Sequence, residues 1–169
     1  MRRSSFLFFA ALLLLPAPVL AAGKAGLWQV TTTYQFGMRF VPPALVTLAH
    51  AQGLKPPVSG QPFTHHMCMT SYETEGNQPL HFNSRDLDCT DRVVSFRASR
   101  MVLESICHGP LEGVGRYQIL WRGNDHFEGT YDFKGRFRGD TTRMSSTFHA
   151  DWQGDDCRGV RPFNQQSTN

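Results

Sequence analysis

At 169 residues, with 40% hydrophobic and 18% charged side chains, the chain is long enough for one domain with a sizeable core and too short for a multidomain enzyme. Fifteen Gly and ten Pro beside thirteen Phe, four Tyr and three Trp exclude a coiled coil and point to an aromatic core broken by turns. Setting aside the first 22 residues, which hold Arg2 and Arg3 and no acid, leaves 15 cations against 14 acids, and these are interspersed without a basic block, which excludes a nucleic-acid footprint.

Residues 1–22 read as a Sec-type signal peptide. Arg2 and Arg3 precede an apolar run from Phe6 to Leu15, and Pro16-Ala17-Pro18 breaks it ahead of Ala21 and Ala22. A run of about ten residues is too short to cross a bilayer, which takes roughly 20. Cleavage there predicts a mature chain that begins near Gly23 or Lys24, lies in the periplasm and keeps no membrane anchor. A single domain over 23–163 and a frayed tail over 164–169 follow.

Gly26 to Phe36 is rich in β-branched and aromatic residues, with Trp28, Val30, Tyr34 and Phe36 on one parity, and predicts a first strand. Pro43 to Gln52 predicts one short helix, because Pro suits a first turn and Gly53 stands where a C-terminal cap belongs. A Pro-rich loop then leads to a second strand over Phe63–Thr70. From Arg85 onward, apolar and polar residues alternate in runs separated by turn signals. Val94, Phe96 and Ala98 alternate with Val93, Ser95 and Arg97; Tyr117, Ile119 and Trp121 oppose Arg116, Gln118 and Leu120. Phe127, Tyr131, Phe133 and Phe137 then oppose Glu128, Thr130, Asp132 and Arg136, and Met144, Phe148, Ala150 and Trp152 oppose Arg143, Thr147, His149 and Asp151. The expected fold is therefore mainly all-β: an antiparallel meander of about seven or eight strands, curled into a barrel-like or half-barrel sheet, with one short helix after the first strand. Gly129 and Gly135 fall on the inward parity, where they allow a bend or admit a neighbour's ring.

Four cysteines in an exported chain predict two disulfides, for which three pairings exist. Asp91–Phe96 and Met101–Ile106 form a hairpin around Ala98-Ser99-Arg100, which brings Cys89 to Cys107 and leaves Cys68 with Cys157. There is no CxxC motif for redox chemistry or haem attachment.

These landmarks together resemble the bacterial exported family DUF3617, a domain of unknown function. The resemblance covers essentially the whole mature chain: Gly26-Leu27-Trp28 with its Thr-rich strand, Pro42-Pro43 and Gly53 around the helix, Cys68-Met69-Thr70, the Cys89 and Cys107 pair, the Gly-rich stretch from Gly113 to Gly139, and Trp152 to Cys157. It implies a periplasmic β-rich domain and no activity, substrate or cofactor. The chain departs from the family at His65-His66-Met67, where small or apolar residues are commoner.

That departure supplies one candidate site. In an extended chain His65, Met67 and Met69 share one face, and imidazole with thioether donors suits copper. Met38, Met101 or His81 could complete such a site. The same residues also fit a plain structural reading, with both Met as core fillers and Cys68 in a crosslink. A second candidate is the aromatic face: Trp121, Tyr131, Phe133, Phe148 and Trp152 line a pocket in the mouth of a curled sheet, or simply fill it. No GxSxG, SxxK, HExxH or phosphate loop is present. The acids at Asp86, Asp88 and Asp91 read as solvated, and Arg138-Gly139-Asp140 reads as a hairpin turn. The sequence thus leads to a non-enzymatic periplasmic domain, without a cofactor, that binds a small ligand or a periplasmic protein; the alternative is a copper-binding protein using His65, Met67 and Met69.

Overall fold

The computed structural model describes residues 23–37, 43–74 and 88–162, so the expected leader and tail, and the donors Met38 and His81, lie outside the described residues. Among the described residues, seven strands form one antiparallel sheet: β1 (Gly26–Phe36), β2 (Pro62–Met69), β3 (Asp88–Arg97), β4 (Arg100–His108), β5 (Leu111–Trp121), β6 (His126–Phe137) and β7 (Asp140–Gly154). Their order across the sheet is β2-β1-β7-β6-β5-β4-β3. The last strand therefore zips onto the first, and β2 and β3 are left as the two edges.

The sheet does not close, yet its edges share an interior. Met67 and Met69 of β2 pack with Met101 and Leu103 of β4 and with Trp28, Ile119, Trp121 and Phe127 between them, while Val93 and Phe96 of β3 lean on the same cluster. Side chains from opposite edges can meet only if the ribbon curls through most of a turn, so the fold is a half-barrel with its apolar side inward. Every even-numbered residue from Trp28 to Tyr34 on β1 is buried, as the alternation predicted.

Local chemistry explains the turns. Arg138 (φ 51°) and Gly139 (φ 93°) form a two-residue hairpin loop with both residues left-handed, the geometry whose twist matches the flanking strands. The helix α1 (Pro43–Ala51) ends in a Schellman motif: Gly53 N–H donates to the His50 carbonyl at 3.1 Å and Leu54 N–H to the Ala49 carbonyl at 2.8 Å, with Gly53 at φ 66°. Ala49 closes one end of the half-barrel by packing between Tyr34 and Phe63. A second helical turn, α2 (Ser71–Thr74), was not expected. It is nucleated by a capping box in which the Glu73 carboxylate accepts from the Thr70 N–H at 2.7 Å and the Thr70 hydroxyl at 2.8 Å.

The inward glycines make room for rings, as the sequence suggested for two of them. Phe133 lies over both Gly113 and Gly135, Tyr131 over Gly115 and Phe148 over Gly129, each where a Cβ would otherwise stand. One expected alternation fails on β3. The register slips between Val93 and Ser95, a bulge that gives Val94 no partner on β4 and turns it out to 46% exposure, while Val93 and Phe96 both reach the core.

Both disulfides form as the hairpin reading paired them. Cys89 and Cys107 are directly opposed on β3 and β4, with Cα atoms 3.9 Å apart. Cys68, at the end of edge strand β2, is bonded to Cys157 beyond β7, across 89 residues of sequence.

Candidate functional site

The β2 strand sends His65, Met67 and Met69 to the inner face, opposite Val30, Trp28 and Gly26 of β1. Met67 and Met69 are buried in the same cluster as Met101. His65 stacks on Phe63 with ring centroids 5.3 Å apart, and its Nδ1 is buried without a hydrogen-bond partner among the described residues. Burial, reinforced by His66, depresses the pKa of His65 from 6.5 to about 4, so the ring is neutral at pH 7. Among the described residues no group of three or more His, Cys, Asp or Glu converges on a metal position.

That depressed pKa makes the fold acid-sensitive. Between pH 6.5 and 4 the unfolded chain takes up a proton that the folded chain refuses, so stability is full above pH 6.5 and falls as the pH drops toward 4. The difference in urea midpoint between pH 7 and pH 4.5 should shrink in His65→Phe, which keeps the stack on Phe63; an undiminished difference would remove His65 as the source.

Of the five rings proposed for a pocket, Trp121, Tyr131 and Phe133 are buried, while Phe148 and Trp152 are partly covered. They belong to the packed inner face: Trp121 meets Trp28 edge-on at 5.7 Å, and Tyr131 stacks on Tyr117 at 4.2 Å. Trp152 lies at the rim, with its Nε1 donating to the Ala25 carbonyl at 3.0 Å and the Lys24 ammonium 4.4 Å from its ring centroid.

Asp91 is not solvated, contrary to the reading of the acids around β3. It is 5% exposed, because it shares the parity of Cys89 and so points inward, in register with Ser105 of β4 and, beyond it, Gly115 of β5. Asp88, at the strand start, is exposed as expected; Asp86 lies outside the described residues. Burial raises the phenol of Tyr34 to about 12 and also raises Tyr117 and Tyr131, with the Asp91 charge adding to both.

The outer face carries a feature the sequence analysis missed. Thr33 of β1, Thr147 of β7 and Thr130 of β6 are direct cross-strand partners, so three threonines stand side by side on adjacent strands. They are shared by two concavities. One, of about 400 Å³, extends past Thr31, Glu128 and His149 toward Pro62. The other, of about 220 Å³, extends the opposite way past Gln35, Asp132 and Ser145. Thr31 and Thr64 hydroxyls are 3.0 Å apart, and Arg122 donates to Glu128 at 2.8 Å, which holds that carboxylate at the groove end. Period-two alternation marked Glu128, Thr130, Asp132, Thr147 and His149 as solvent-facing. Only the register made a groove of them.

A curled antiparallel sheet with two crosslinks and a hydroxyl-lined outer groove defines a small disulfide-stapled β-domain. The family model described as "Protein of unknown function (DUF3617)" matches residues 23–157, and the chain belongs to that family. Comparison with curated proteins and with solved structures returned no match.

Proposed function

We propose that the chain is an exported, non-enzymatic binding domain of the periplasm that takes a small ligand in the outer groove of β1, β7 and β6. The observation that carries this reading is the groove: two concavities of about 400 and 220 Å³ joined through Thr33, Thr130 and Thr147. Packing on the inner face supports it, since the ring clusters occupy the concave side and leave the outer side to a ligand. Export is supported by the leader at residues 1–22 and by two disulfides, which persist in oxidising compartments. All four cysteines are crosslinked, so no thiol nucleophile is on offer, in keeping with binding rather than catalysis.

The test is a titration of the isotope-labelled mature chain with a low-molecular-mass extract of bacterial periplasm, followed by amide chemical shifts. The reading expects shifts centred on Thr31, Thr33, Thr130 and Thr147, abolished in Thr147→Trp, whose exposed side chain fills the groove. An extract that moves no groove amide overturns it.

A second reading, copper binding through His65, Met67 and Met69, draws on the neutral, unbonded His65 Nδ1 on the same strand face as two thioethers. It expects stoichiometric Cu(I) uptake that is lost in the His65→Ala, Met67→Ala double variant. Uptake that is absent, or indifferent to the substitutions, overturns it.

A further inference from the structure

Resting on the reading of the outer groove as a ligand site, we propose that the ligand is a neutral oligosaccharide. The groove lining is amphipathic at the scale of single residues. Each threonine presents a methyl and a hydroxyl, Gln35 both donates and accepts, and Glu128 and Asp132 only accept when ionised. Sugars have the complementary pattern: a C–H face that lies against methyls and Pro62, and hydroxyl edges that donate to carboxylates and exchange hydrogen bonds with hydroxyls.

Other chemistries fit less well. An apolar ligand would strip water from the hydroxyls and carboxylates without replacing their hydrogen bonds. An anion would meet the Asp132 carboxylate and a Glu128 carboxylate already paired with Arg122. A cation would need those carboxylates to converge, but they stand four residues apart on β6, which is about 13 Å along a strand. A peptide strand would need free backbone groups, and β1, β7 and β6 are each paired on both sides. The strip from Thr31 to Gln35 is likewise about 13 Å long, and three strands span about 10 Å, which is room for two or three sugar rings lying flat.

One end of the strip lets an experiment separate a neutral ligand from an anionic one. Beyond Asp132, Lys134 and Arg143 face each other directly across β6 and β7 and both are exposed, outside the two concavities. A neutral sugar seated between Thr31 and Asp132 does not reach them, whereas an anionic one would be drawn toward them.

The experiment is an amide-shift titration of the full mature chain with neutral di- and trisaccharides of glucose, mannose, galactose and N-acetylglucosamine, with inorganic phosphate as comparison. The expected result is that one or more saccharides shift Thr31, Thr33, Thr130 and Thr147. Asp132→Ala, an exposed position whose variant is checked by circular dichroism, should weaken that binding about tenfold, the equivalent of one lost hydrogen bond to a charged acceptor. The Lys134→Ala, Arg143→Ala pair should leave it unchanged. If the periplasmic extract moves the groove amides and no saccharide does, the sugar assignment falls and the groove stands; if phosphate alone moves them, or affinity follows Lys134 and Arg143, a neutral sugar is excluded. If neither extract nor saccharide moves them, the groove reading falls with it.

Discussion

Replacing Cys68 and Cys157 by alanine is expected to destabilise the domain by about 4.5 kcal/mol, and Cys89 with Cys107 by about 3, on the chain-entropy account of crosslinks. The order follows from the loops closed, 89 residues against 18. The two losses should also differ in place. Cys68–Cys157 ties edge strand β2 to the segment after β7, beside the Cys68–Pro162 bridge, so its removal should speed hydrogen exchange along β2. Cys89–Cys107 joins strands that are already paired in register, so its removal should leave β2 protected. Calorimetry and amide exchange on the two double variants check this. Equal losses, or a β2 that stays protected in both, would show that the edge is held by packing alone.

Trp28→Ala should cost about 3–5 kcal/mol, the range for truncating a buried Trp. Trp28 has no exposed surface and stands where three strands meet, opposite Met67 on β2 and Trp152 on β7. Its ring contacts Trp121 edge-on at 5.7 Å and Phe127 at 5.1 Å, and its Nε1 donates to the Lys24 carbonyl at 3.0 Å. Trp28→Phe keeps most of the apolar contact and loses the hydrogen bond, so about 1 kcal/mol beyond its packing loss is expected. Trp152→Ala, at the half-exposed rim, should cost less than Trp28→Ala. Urea unfolding of the three variants orders them; a Trp152→Ala loss equal to that of Trp28→Ala would place the core nearer the rim.

Much of this architecture was legible locally. Trp28 and Val30 on one parity, the ring-bearing runs after residue 85 and the Arg138-Gly139 turn each carry their signal within a few residues, because a pleated strand reverses sides at every step and a tight hairpin needs left-handed backbone. The Val93 bulge was not legible, since nothing in Val93-Val94-Ser95 says which residue the partner strand will skip. Asp91 was misread for a related reason. A carboxylate beside a turn looks solvated until the parity of Cys89 is traced inward.

By itself the sequence determined the strands, their buried faces outside the irregular β3, and the pairing of the cysteines, because each depends on neighbours along the chain or on a single hairpin. Tertiary structure alone decided that β7 would zip onto β1, that Met67 of one edge would meet Met101 near the other, and that Thr33, Thr147 and Thr130 would stand side by side. Those outcomes rest on register between strands far apart in sequence. Register is set when a whole curled sheet buries its rings at once, and no short window of residues contains that information.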